Sequence, residues 1–171
     1  GVLHPSPLYD AFLHIMGEQK IPVMIARADK DFMIEKDLSL DILFPKESLL
    51  QKNTKKVNDT SIVAALKYQN SSLLLSGDIE KNIEEELLFS GADLKSDLLK
   101  IAHHGSRTSS TPAFLQASSP ENAIIMAGKD NQYRHPHLET VLNLDELQIP
   151  WSSTKEGSIS YFSDGRTWKK L

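Results

Sequence analysis

Apolar residues along this chain come in short runs separated by polar, glycine- or proline-marked turns. Ser6 and Pro7 place a capping hydroxyl before a first-turn proline, and Leu8, Phe12, Ile15 and Met16 share one face, so a helix is expected to about Glu18. Residues 22–26 are an unbroken apolar run and read as a buried strand. Leu38, Leu40, Ile42 and Phe44 alternate with Ser39, Asp41 and Leu43 up to Pro45, the period of a strand. Residues 46–56 are lysine-rich and read as a solvated loop. Residues 61–68 and 72–76 form two β-rich runs joined through Gln69-Asn70-Ser71, the pattern of a hairpin.

Farther on, strands alternate with helices. Ile83, Leu87 and Leu88 define a short amphipathic helix after Asp78. Residues 98–102 and 123–127 are apolar strands, with Thr111-Pro112 opening a helix between them. Pro136 opens another helix, expected to bury Val141, Leu142 and Leu147. Residues 149–153 and 158–162 are late strands, and Asp164-Gly165 is a turn. The alternation predicts an α/β layered fold, and the hairpin makes its sheet mixed rather than purely parallel.

Composition narrows the function classes. The 171 residues fit one domain able to bury a core, with 40% hydrophobic and 25% charged residues. The net charge of −4 gives no global cationic field for holding nucleic acid non-specifically, so any such contact is local or cation-mediated. With no cysteine, disulfides and thiolate metal sites are excluded. No apolar run approaches a membrane span, and the first residues do not resemble a signal peptide. The start at Gly1, without an initiator methionine, reads as a piece cut from something longer.

The chemistry-bearing residues cluster after strands. His103-His104-Gly105-Ser106 follows the strand at 98–102, and imidazoles held at a strand's end suit metal binding or proton transfer. Gly77-Asp78 ends the strand at 72–76; Asp78 is either a metal ligand at the same sheet edge or a cap on the helix beginning near Glu80. On an extended strand His103 and His104 would point to opposite faces, so the turn at Gly105 must re-aim one of them. One would then be a metal ligand and the other a neighbour for phosphate or an outer hydrogen bond. His135-Pro136-His137 is a second imidazole cluster; His135 could cap the helix after it while pointing to the same edge, and His137 reads as an exposed loop residue. His4 and His14 read as surface or packing residues. Asn58-Asp59-Thr60-Ser61 is a turn that could line the edge near Asp78. Ser106 lacks the flanking glycines of a nucleophile elbow, and no phosphate-loop or dinucleotide fingerprint occurs.

Taken in order, Asn58-Asp59-Thr60-Ser61, Ser76-Gly77-Asp78, His103-His104-Gly105-Ser106 and Asn131-Gln132-Tyr133-Arg134-His135-Pro136-His137 resemble the metallo-β-lactamase-fold domain of competence-type DNA-internalisation proteins, the ComEC family. Gly157-Ser158-Ile159 and Ser163-Asp164-Gly165 match its closing strands, and free-standing hydrolases share the domain. The resemblance implies an αββα sandwich, with residues 1–171 forming a single partial domain, its C-terminal portion. It implies two divalent metals, zinc or manganese, with Asp78 as bridging ligand and His104 as ligand to the second metal. It further implies His103 and His135 as catalytic proton carriers, and Asn58, Ser106 and Arg134 as substrate contacts.

The family's leading metal motif, His-x-His-x-Asp-His, does not occur in these residues. Truncation is the expected reason, which would leave this chain with half a metal site and an uncovered apolar sheet face. The expected function of the complete domain is metal-assisted hydrolysis of DNA or another phosphodiester during uptake. Lys129, Arg134 and Arg107 could hold the substrate backbone. The alternatives are a non-enzymatic DNA-guiding or assembly domain of an uptake channel, and a hydrolase of a small phosphodiester or ester. A membrane channel domain in the same full-length chain would put this part on the extracytoplasmic face of a bacterial membrane; otherwise it is expected in the cytoplasm.

Overall fold

In the computed structural model residues 6–171 are described; Gly1 to Pro5, and with them His4, lie outside the described residues. Helix α1 (Pro7–Glu18) begins as its sequence predicts, with Ser6 Oγ accepting the Tyr9 N–H at 3.5 Å. Seven strands follow in one sheet: β1 (Phe32–Glu35), β2 (Leu38–Phe44), β3 (Val63–Tyr68), β4 (Ser71–Leu75), β5 (Leu98–Lys100), β6 (Asn122–Ile125) and β7 (Trp151–Ser153). Their spatial order is their chain order. β1 to β4 run antiparallel, with two-residue turns from β1 to β2 and from β3 to β4 and a long connection over residues 45–62 from β2 to β3, whereas β5, β6 and β7 run parallel to β4.

Parallel neighbours need a crossover, and each crossover here contains a helix. These are α2 (Lys81–Phe89), α3 (Pro112–Ser118) and α4 (Leu138–Glu146). α3 packs against both α2 and α4. Ile83, Leu87, Phe114, Leu115 and Leu144 of these helices meet Val63, Leu74, Leu99, Ala123 and Ile125 of the sheet in one buried core. Burying such side chains contributes about 1.5–3 kcal/mol each, so this face holds the fold together.

The other sheet face is less covered. Register puts Leu40, Leu66, Leu73 and Leu98 in one row, and Ile42, Ala64, Leu75, Lys100 and Ile124 in the next. A two-stranded ribbon, β8 (Tyr161–Ser163) and β9 (Trp168–Lys170), sits over part of it. Trp168 Nε1 donates to the Ser72 carbonyl at 3.0 Å, and the Asn70 N–H donates to the Gly165 carbonyl at 2.8 Å. Leu40, Leu66, Leu73, Leu75 and Ile124 remain only partly buried.

Several expectations need correction. Residues 22–26 form no strand and pair with none, so they do not extend the sheet. β1, which the pattern did not reveal, is a short exposed edge strand folded back through Lys36-Asp37. The alternation in β2 breaks at a bulge between Ile42 and Phe44, which sends Phe44 to the helix side. α4 begins at Leu138 and buries Thr140 and Leu144, while Leu142 is 46% exposed. The late run at 158–162 contributes to the separate ribbon, not to the main sheet. What the structure carries is an α/β fold with a mixed seven-stranded sheet and four α-helices among the described residues. No helix among them is long and apolar enough to cross a membrane.

Candidate functional site

The parallel strands β4, β5 and β6 all release their chains at the same sheet edge, where open α/β sheets gather ligand-binding groups. Gly77-Asp78 leaves β4, His103-His104 leaves β5, and His135 follows β6. Gly77 takes a left-handed φ of 57°, and a Cβ there would lie 2.7 Å from Ser61 Cβ. Ser61 Oγ accepts the Asp78 N–H at 3.0 Å, so the turn at 58–61 fixes the start of the acidic turn. The cap reading of Asp78 is not what the structure shows: the residue at the N-terminus of α2 is Glu80, and no side chain caps that helix.

β5 ends at Lys100, and the two histidines are not extended. His103 (φ 48°, ψ 42°) and His104 (φ 57°, ψ 20°) are both left-handed, within a short 3₁₀ turn. Each such residue costs on the order of 1–3 kcal/mol and persists only where its surroundings over-determine it. The surroundings are visible. Gly105 (φ 84°) lies so close to Pro136 that a Cβ would come within 2.6 Å of the proline Cβ. Its carbonyl accepts both the His137 N–H at 2.8 Å and Thr140 Oγ1 at 3.1 Å. The consecutive left-handed residues bring both imidazoles to one side, with ring centroids 6.5 Å apart.

Asp78 and His104 meet. Asp78 Oδ2 stands 3.6 Å from His104 Nε2. His104 Nδ1 lies 2.6 Å from the Met126 carbonyl, which can only accept, so Nδ1 carries the proton. The Nε2 lone pair is thereby left on the side of the carboxylate. His103 Nε2 is 3.3 Å from Asn58 Nδ2, a donor, which puts the His103 proton on Nδ1. That Nδ1 is buried, makes no hydrogen bond, and faces Glu80 Oε1 at 3.6 Å.

His135 is buried at the centre of the cluster, 5.7 Å from the His103 ring and 6.3 Å from that of His104. Burial, followed by the neighbouring His137, His103 and His104 rings, holds its pKa below the ordinary histidine value; Asp78 pulls weakly the other way. His135 does not cap α4. Its loop is instead tied by Asn131, whose Oδ1 accepts the His135 N–H and whose Nδ2 donates to the His135 carbonyl, both at 2.8 Å. His137, expected to be exposed, is half-buried: its Nδ1 accepts the Arg107 N–H at 3.0 Å.

Ser106 is buried and spends its Oγ on Thr108 within its own loop. Arg134 is exposed and left-handed (φ 57°). His14 is exposed, 3.2 Å from Glu18 one helical turn on.

Two residues near the edge were not singled out from sequence. Lys100 is largely buried, and its Nζ donates to the Gly77 carbonyl at 2.9 Å while standing 3.9 Å from Asp78 Oδ1. Burial pushes its pKa below the usual lysine range, opposed by Asp78. The signal was a lone cation inside the apolar run at 98–102. Glu84 is fully buried and accepts the Ser110 and Thr111 N–H groups, gripping the loop that follows the histidines.

The residues fit a divalent cation in part. Two ligands about 2 Å from one tetrahedral ion stand about 3.3 Å apart. The Asp78–His104 gap is close to that, and a carbonyl holding the far imidazole nitrogen is the usual support for a metal-bound histidine. Among the described residues, however, no group of three His, Asp or Glu side chains converges closely enough to hold an ion.

No protein-family profile matches the chain. It is similar to ComE operon protein 3 of Bacillus subtilis, with 35% identity over 132 residues, 77% of this chain and 16% of that protein. Competence protein ComA of Neisseria gonorrhoeae is 39% identical over 93 residues, 53% of this chain and 14% of the relative. Recombination protein 2 of Haemophilus influenzae is 30% identical over 114 residues, 65% and 14% respectively. The relatives carry competence and recombination names. This chain spans about one-seventh of their length.

Proposed function

We propose that this chain carries one edge of a divalent-metal site in a metallo-β-lactamase-like hydrolase domain that cleaves phosphodiester bonds of DNA during uptake. The observation that carries the reading is the 3.6 Å gap between Asp78 Oδ2 and Nε2 of His104. The names of the relatives, ComE operon protein 3 and competence protein ComA, support the uptake context. Asp78 and His104 would hold zinc or manganese, with further ligands coming from outside the described residues. The ion, when bound, supplies neutralisation of phosphate charge and a more acidic water.

The chain's own residues do the rest. Asn58 at 3.3 Å from Nε2 and Glu80 at 3.6 Å from Nδ1 flank the His103 ring, a position suited to carrying a proton. Burial lowers the His135 pKa, which favours the neutral form that can accept a proton. Lys100 fixes the Gly77 carbonyl and so the direction of the Asp78 side chain. Arg134 and Lys129 are exposed and free to meet the substrate backbone.

The test pairs metal titration with turnover of single-stranded DNA, double-stranded DNA and a chromogenic phosphodiester in Mn²⁺. Asp78→Ala and His104→Ala should each weaken metal binding by about tenfold or more and abolish DNA turnover. Metal affinity unchanged in both variants overturns the proposal. A second reading, a DNA-guiding or assembly domain without catalysis, is favoured by the lack of a third converging ligand among the described residues. It predicts DNA binding without turnover in every metal.

A further inference from the structure

We propose that Tyr133 is a stacking platform for an unpaired nucleobase, which makes single-stranded nucleic acid the form this edge receives. The expectation that a nucleotide comes here at all rests on the phosphodiester reading; the platform itself rests on ring geometry. The Tyr133 ring lies 5.6 Å from that of His135 with their planes 23° apart. His135 in turn lies 6.3 Å from His104 with planes 22° apart. The three rings thus form two successive near-parallel pairs that share His135. At the inner end is the Asp78–His104 pair, and at the outer end a tyrosine 65% exposed to solvent.

The outer ring is held in advance of any ligand. Asn131 Nδ2 donates to the carbonyls of Gly128 and His135, and the Arg134 N–H returns to the Asn131 carbonyl at 3.0 Å. A ring on a tied loop loses little freedom when a planar partner covers it. Arg134 and Lys129 are exposed on the same loop and bring positive charge for the adjoining phosphates. A base stacked on Tyr133 would therefore be joined, through His135, to the ring of His104 in the carboxylate–imidazole pair. Bases in a duplex are already stacked on each other and offer only their edges; those of a single strand offer their faces.

The experiment is a fluorescence-anisotropy titration of the 171-residue chain in EDTA, so that neither metal nor hydrolysis enters. The probes are a short labelled oligothymidylate and an abasic strand of equal length and charge. The wild-type chain should bind the base-bearing strand about tenfold tighter, the size of one base–aromatic contact. Tyr133→Ala should lose that preference while binding the abasic strand unchanged, and Tyr133→Phe should keep it.

Equal wild-type binding of the two strands overturns the platform, as does no binding of either, or a preference that survives in Tyr133→Ala. Should the alanine variant fail to fold, the wild-type pair and Tyr133→Phe still decide. An Asp78→Ala variant should retain the preference. Failure of the hydrolase reading thus shows in turnover and metal affinity, and failure of the platform shows here.

Discussion

Residues 7–26 and the central ninety are built on different terms. Between residues 58 and 150, helices α2, α3 and α4 press side chains such as Phe114, Leu115 and Leu144 into a core with no exposure at all. Helix α1, by contrast, has no buried residue; Leu8 is 81% exposed and Phe12 52%. Val23 and Met24, in the irregular segment after it, are 58% and 68% exposed. Both regions are rich in apolar residues. What separates them is that three helical crossovers force the central region to close over its sheet, whereas nothing among the described residues closes over α1. The candidate site lies wholly in the closed region, whose rigidity two strained histidines require.

That contrast can be broken from either side. The largest effect is expected in the core: Phe114→Ala should cost about 3–5 kcal/mol, read as a lower denaturation midpoint. Close behind is Gly105→Ala, which forces a Cβ against Pro136 at a left-handed position and should cost about 2–3 kcal/mol. It should also release the hydrogen bond from the His137 N–H to the Gly105 carbonyl, visible as faster amide exchange at His137.

A third test uses Glu84. Burial raises its pKa above the ordinary carboxylate range, against the Thr111 and Ser110 N–H bonds that lower it. The native state therefore keeps this proton to higher pH than the unfolded chain does. The stability it contributes is whole below the ordinary range and is lost as pH rises through the raised native value. Thermal melts across that window should show this slope in the wild type and a flatter profile in Glu84→Gln. A slope of opposite sign would mean that the two N–H bonds outweigh desolvation. Smallest of all, Phe12→Ser on α1 should change stability by no more than about 0.5 kcal/mol. A larger loss would show that α1 is held as firmly as the core.

Periodicity made much of this legible. The β3–β4 hairpin, the three crossover helices and the strands feeding Asp78 and His103 follow directly from runs of leucine, isoleucine and alanine between polar turns. It failed where pairing, not polarity, decides. Residues 22–26 are as apolar as any strand but find no neighbour, while Phe32–Glu35 gains one through a two-residue turn ending in left-handed Asp37.

At the site, the meeting of Asp78 with the histidine pair could be read from two strands ending together. The posture of that pair could not, because histidine carries no mark for a left-handed backbone. Nor could the grip of Glu84 or the reach of Lys100, since both depend on which loops pack together. For Lys100 the sign was a lone charge in an apolar run, whereas Glu84 sits among Glu85 and Glu86 with nothing to set it apart.

The contact between Gly105 and Pro136 has a consequence for anyone who would borrow the motif. The orientation of the imidazoles is enforced by a segment thirty residues away, and only while that segment is docked. Transplanting His-His-Gly-Ser onto the end of a foreign strand would carry over the letters without the posture. A successful graft would have to take the proline loop with it.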